Sequence, residues 1–228
     1  MNKIILALDT SDLESAINIA KKVKDKIFTI KLGLEFFNAH GKNGIKKFND
    51  IGIKNLMLDI KIKDIGQTAY KAIKALNDIE FGFLTVHGQG GKEMVEKAKK
   101  AASEIKSNPT IMMVTILTAL DDNDLKDMGN NNTVIEQVEK LAALAQEMEV
   151  GIVCSGHEAK IVRKILDQNL LIFTPGIRML KDNKDDQRRV CTPKEALENG
   201  ADKIIMGRSL IKGNIEENID KVSNSIKE

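Results

Sequence analysis

The sequence predicts an α/β protein folded as a single (β/α)8 TIM barrel. Short apolar runs of strand length alternate with helix-period segments from end to end, and the runs number eight. Neither a low-complexity linker nor a shift in composition divides the 228 residues, a length that suits one barrel, so 1–228 reads as one domain. Strands separated by helices pair in parallel through right-handed crossovers, and eight such units close more naturally than they stay open. The alternative, a doubly wound dinucleotide-binding sheet, needs a GxGxxG turn after the first strand; this chain has Asp9-Thr10-Ser11-Asp12 there.

The first strand is expected at 4–8, followed by a helix whose apolar stripe is Leu13, Ala16, Ile17, Ala20 and Val23. Further strands are expected at 28–32, 54–60, 81–86, 110–117, 150–154, 170–173 and 203–206. After the fifth, Val134, Val138, Leu141, Ala145 and Met148 mark a second clear helix. Ile211, Ile215, Ile219, Val222 and Ile226 mark the last. Capping boxes place helix starts at Ser11 with Glu14, Thr133 with Glu136, Ser155 with Glu158, and Thr192 with Glu195, the last with Pro193 at the first helical position.

Composition narrows the function. Charged residues are 30% of the chain but nearly cancel at +2, so no global basic field recruits nucleic acid. Tyr70 is the only tyrosine and tryptophan is absent, which leaves few platforms for stacking bases. Cys154 and Cys191 lie far apart without metal-ligand spacing, arguing against a disulfide framework or structural zinc and fitting a reducing cytoplasm. The N-terminal apolar run is too short for a signal segment, and no apolar stretch approaches a membrane span.

The stretch Asp59-Ile60-Lys61-Ile62-Lys63-Asp64 places charges where a buried strand should be apolar. Asp59 and Lys61, two apart, point the same way, so they neutralise each other or meet a charged ligand; an exposed edge strand with surface ion pairs is the plain alternative. Barrels gather functional groups at the C-terminal ends of their strands. Here strand one ends in Asp9, strand two in Lys31, strand three in Asp59 and Lys61, strand four in His87 and strand five in Thr118. Alternation turns Ile5, Ala7, Asp9, Thr29 and Lys31 inward and Leu6, Leu8, Ile30 and Leu58 toward the helices. Lys31, Asp59, Lys61 and Asp64, packed alternately, would each stay ionised beside an opposite charge. Such an array suits a reaction that builds negative charge on carbon and then needs a proton, as decarboxylation does.

An anion site is expected from Thr174-Pro175-Gly176-Ile177-Arg178 after strand seven and Met206-Gly207-Arg208-Ser209 after strand eight. Glycine admits a phosphate close to the backbone, and arginine adds a forked charge. The polar segment from Lys181 to Arg189 reads as a lid over the ligand or as a solvated loop.

With these residues in order, the chain resembles the orotidine 5′-monophosphate decarboxylase family. The resemblance is carried by Leu6-Ala7-Leu8-Asp9, Lys31-Leu32-Gly33, Asp59-x-Lys61-x-x-Asp64-Ile65, Val153-Cys154-Ser155-x-x-Glu158, Thr174-Pro175-Gly176-Ile177-Arg178, Asp186-Gln187-Arg188-Arg189-Val190 and Gly207-Arg208. It implies a carboxy-lyase in which Lys61 gives a proton to C6 of the pyrimidine and Asp59 faces the departing carboxylate. Lys31 orients Asp59 and, with Asp9, binds the ribose; Thr118 meets the pyrimidine. Pro175, Arg178, Gln187, Gly207 and Arg208 bind the nucleotide around its 5′-phosphate. Asp64, Ile65 and Thr68 cross a two-fold interface into the partner's site, making the active unit a homodimer. The family implies neither metal nor organic cofactor.

The chain departs from the family pattern at Ile62, Lys63 and Gly66, where glycine replaces a stiffening proline, and at Met179-Leu180. A sister enzyme, the Mg²⁺-dependent decarboxylase of a 3-keto-hexulose 6-phosphate, shares the Asp-x-Lys-x-x-Asp motif but carries a metal-binding glutamate where Lys31 stands. Glu35 reads instead as a helix-start residue. A catalytically silent nucleotide-binding protein is the further alternative. His87 reads as scaffold, and Cys154 as a small core residue.

Overall fold

A computed structural model describes residues 2–179 and 191–227. Eight parallel strands, β1 (Ile4–Leu8), β2 (Thr29–Gly33), β3 (Met57–Ile62), β4 (Phe83–His87), β5 (Thr110–Val114), β6 (Gly151–Val153), β7 (Ile172–Thr174) and β8 (Lys203–Met206), form a closed barrel in chain order, with β8 paired to β1. A helix follows each strand, so the predicted (β/α)8 architecture is the observed one. β3 starts three residues later than expected, and β5 stops at Val114 instead of 117, leaving 115–118 to form part of the rim.

Alternation sorts the core into two layers. Ile5, Ala7, Met57, Phe83, Met112, Val114, Val153, Phe173 and Ile205 fill the barrel. Leu6, Leu8, Ile30 and Leu58 turn outward into a larger layer under the helices, as their parity requires. The lower barrel is closed by Phe28, Phe83 and Phe173, whose ring centroids lie 5.1 to 6.2 Å apart. Lys203 caps them: its Nζ stands 4.0 Å from the Phe28 centroid and donates to the Asn2 carbonyl at 2.8 Å.

Thr133 and Thr192 form the predicted capping boxes, with reciprocal bonds to Glu136 and Glu195. The first helix departs from expectation: Asp12, not Ser11, is its cap, accepting from the Ser15 N–H at 3.0 Å. Ser155 and Glu158 make half of a box. The Glu158 carboxylate accepts the Ser155 N–H at 2.9 Å, but the helix begins only at Ala159. The expected final helix is split, because Gly213 at φ 84° turns the chain after Arg208–Ile211 and Asn214 caps a new helix, Ile215–Ser225.

Candidate active site

The upper barrel opens into a cavity of about 570 Å³ whose wall includes Asp9, Lys31, Asp59, Lys61, Thr118, Pro175, Arg178, Gly207 and Arg208. Nine residues predicted from six different strand ends thus share one space. The strand register explains the lower wall: Ala7 pairs with Lys31, and Gly33 with Asp59. Lys31, level with Ala7 and Met57, therefore starts one inward position below Asp59, and its long side chain reaches up past Gly33 to meet the carboxylates. Gly33 is needed for close approach, since a Cβ there would stand 2.8 Å from Asp9 Oδ1 and 3.5 Å from Lys31 Nζ.

Four charges run in alternation across this wall. Lys31 Nζ lies 3.1 Å from Asp9 Oδ1 and 3.0 Å from Asp59 Oδ2, and Lys61 Nζ lies 2.9 Å from Asp59 Oδ1. The central pair is buried, Lys31 and Asp59 each being 8% exposed. Burial alone would push the Asp59 carboxyl up, but Lys31 and Lys61 outweigh it and hold the group at about 2. Burial likewise pulls Lys31 down, while Asp59 and Asp9 more than offset it and raise the ammonium above its ordinary value. The pairings that hold this row together are all made within the protein itself. Lys61 is about one-third exposed and faces the opening.

The residues expected to form an anion site line the same cavity. Gly176, at φ 73°, makes the turn after β7 that brings Arg178 onto the wall. The Arg178 N–H donates to the Cys191 carbonyl and the Cys191 N–H to the Gly176 carbonyl, pairing the two chain segments that flank 180–190. Gln187 and the expected lid, Lys181 to Arg189, lie outside the described residues.

A family model described as "Orotidine 5'-phosphate decarboxylase / HUMPS family" matches residues 2–219. The chain belongs to this family. Proteins named orotidine 5′-phosphate decarboxylase from Sphingopyxis alaskensis and Wolbachia sp. subsp. Brugia malayi are similar to it, the first at 41% identity over 91% of each chain, the second at 40% over 96% of each. The crystal structure of orotidine 5′-phosphate decarboxylase from Lactobacillus acidophilus has a TM-score of 0.84 to this chain at 30% identity, covering all of both.

Other members of the predicted decarboxylase site are placed apart. Asp64, Ile65 and Thr68 are exposed at the start of helix Gly66–Lys74 and do not line the cavity. Asp64 Oδ1 accepts the neighbouring Ile65 N–H, and within this chain the fourth charge of the array is Asp9, not Asp64. Gly66 opens helix Gly66–Lys74. It is buried, and a Cβ there would meet Lys97 and Glu93 side chains at 3.1 to 3.3 Å, so glycine brings this helix down onto Lys92–Ser103. Glu35 stands in the first turn of helix Leu34–Asp50, as expected. His87 ends β4; burial first, then Lys63 and Lys61, push its pKa down and favour a neutral ring. Cys154 is buried yet borders the cavity. Sequence reasoning missed Thr85, a fully buried residue whose hydroxyl donates to Asp59 Oδ1 at 3.0 Å. Its only signal was parity: it shares β4's inner face with Phe83 and His87.

Proposed function

We propose that this chain is a carboxy-lyase that converts orotidine 5′-monophosphate to UMP and CO₂, the last step of de novo pyrimidine synthesis. The observation that carries the reading is a buried carboxylate pinned between two ammonium groups on a cavity wall, in a chain whose curated relatives bear that enzyme's name. In this reading the bond from C6 to the substrate carboxylate breaks, its electron pair stays on C6, and CO₂ departs. Lys61 then gives its proton to C6 and regains one from solvent. Lys61 also stabilises the developing carbanion, because its charge is already oriented and needs no reorganisation. Asp59 faces the departing carboxylate, and Lys31 and Asp9 hold the ribose hydroxyls. Thr118 contacts the pyrimidine, while Pro175, Arg178, Gly207 and Arg208, with Gln187, hold the phosphate end.

Every step runs through side chains, without metal or organic cofactor. The cation lying between Asp9 and Asp59 is the protein's own Lys31. The working unit is a homodimer of single barrel domains spanning 1–228, with Asp64, Ile65 and Thr68 reaching the partner's cavity. Mixing Lys61→Ala with Asp64→Ala subunits should restore part of the activity, and no recovery would count against the shared site. A cytoplasmic setting accords with two buried cysteines that are both free thiols. Among the described residues, no helix is long and apolar enough to cross a membrane.

The direct test is loss of orotidine 5′-monophosphate absorbance with EDTA present, which should proceed at full rate. Release of CO₂ from 3-keto-hexulose 6-phosphate with Mg²⁺, the nucleotide being untouched, would assign the sister activity instead. Tight binding of UMP without turnover would mark a silent binding protein.

A further inference from the structure

Thr85 occupies an unusual place in the β3–β4 ladder. Leu58 pairs with Leu84 and Ile62 with Val86, so the three residues 59–61 oppose this single residue. That is a bulge, and it contains both Asp59 and Lys61. Within it Lys61 adopts φ 44°, a left-handed conformation costly for any residue with a Cβ and kept only where surroundings enforce it.

The Thr85 hydroxyl supplies that enforcement. Its Oγ1 accepts the Lys61 backbone N–H at 2.9 Å and donates to Asp59 Oδ1 at 3.0 Å, the same oxygen that Lys61 Nζ meets at 2.9 Å. The Leu58 carbonyl, 3.5 Å away, is the weaker acceptor. A closed ring results: Lys61 backbone to Thr85, Thr85 to Asp59, Asp59 to the Lys61 ammonium. The threonine is fully buried, so water cannot replace it.

We infer that Thr85 is a positioning residue for the proposed decarboxylation, locking the bulge so that the Lys61 ammonium and the Asp59 carboxylate are aimed together at the reacting carbon. The inference rests on the decarboxylase reading. Valine at this position keeps the β-branched shape but removes both hydrogen bonds, leaving the Lys61 N–H without its acceptor. Misaiming the proton donor by about an ångström is enough to lower turnover about 100-fold.

The test compares wild type with Thr85→Val, Thr85→Ser and Thr85→Ala by steady-state kinetics on orotidine 5′-monophosphate, UMP binding and thermal melting. The Val variant should lose about 100-fold in kcat, with KM and UMP affinity within about threefold of wild type, and Ser should recover most of kcat. Folded Val protein with kcat within about threefold of wild type overturns the inference, as does an equal loss in Ser and Val. If Val does not fold, Ala decides: a kcat loss that Ser repairs upholds the role, and an unchanged kcat removes it. Inactive wild type is a separate result, visible before any variant is compared, and refutes the decarboxylase reading on which the inference stands.

Discussion

Asp59 and Asp78 make the same pattern of contacts in two different solvents. Asp78 sits between Lys42 and Lys46 at 2.7 and 2.9 Å, much as Asp59 sits between Lys31 and Lys61 at 3.0 and 2.9 Å. Both carboxyls are held at about 2. Yet the Asp78 side chain is 47% exposed and those of its lysines 41% and 44%, whereas the side chains of Asp59 and Lys31 are 10% exposed and that of Lys61 32%. Water and salt screen the first cluster, and its long side chains are costly to hold still. The second is fixed by strand register, by Gly33 and by Thr85. A carboxylate between two lysines is therefore not itself a sign of catalysis; in the proposed reaction it is its removal from water, with little freedom to rearrange, that would serve a developing carbanion.

The contrast breaks most readily by mutation. Asp59→Ala leaves Lys31 buried without its main partner, and losing one member of a buried pair costs roughly 3–5 kcal/mol. Turnover should fall by about a thousandfold or more, since the orienting charge disappears. Asp78→Ala should melt close to wild type and turn over at the wild-type rate. Comparable losses of stability in both would dissolve the distinction, and calorimetric melting beside steady-state assays reads it directly.

Arg208→Ala removes charge from the cavity lining and leaves the array intact. KM should rise about tenfold or more with kcat within about threefold, the mark of an interaction used equally in ground and transition states. A fall confined to kcat would mean that the phosphate side takes part in the chemistry.

Acid gives the smallest separation. A carboxyl whose folded pKa lies below its ordinary value near 3.8 adds stability above about pH 4, and that stability is lost as pH falls toward about 2. Asp59 should supply more of this loss than Asp78, whose exposed pairs are screened. Asp78→Asn should therefore follow the wild-type stability profile through this window in urea unfolding. A profile flattened by that change would place the acid-sensitive stability at the surface.

Much of this could be read from the chain, because parity is a local property. Alternation alone put Ile5 and Ala7 inside, Leu6 and Leu8 outside, and the charges of three strands on one wall. Thr133 and Thr192 were legible as caps because the partner glutamate lies three residues on in each. Ser11 misled because Asp12, one residue later, offers a cap oxygen of its own to Ser15. The bulge was invisible. Nothing near Lys61 requires a left-handed backbone, and the residue that enforces it lies 24 positions away on the next strand. The Asp9–Lys31 contact was not itself legible, since Asp9 meets Lys31 only through β1–β2 pairing.

The central claim is that a preassembled buried array turns over a bound nucleotide through one ammonium group, and Lys61→Ala tests it most directly. With orotidine 5′-monophosphate in single-turnover assays, the variant should bind UMP within about threefold of wild type and lose decarboxylation by about a thousandfold or more. Folded Lys61→Ala protein that decarboxylates within a few-fold of wild type would contradict the account.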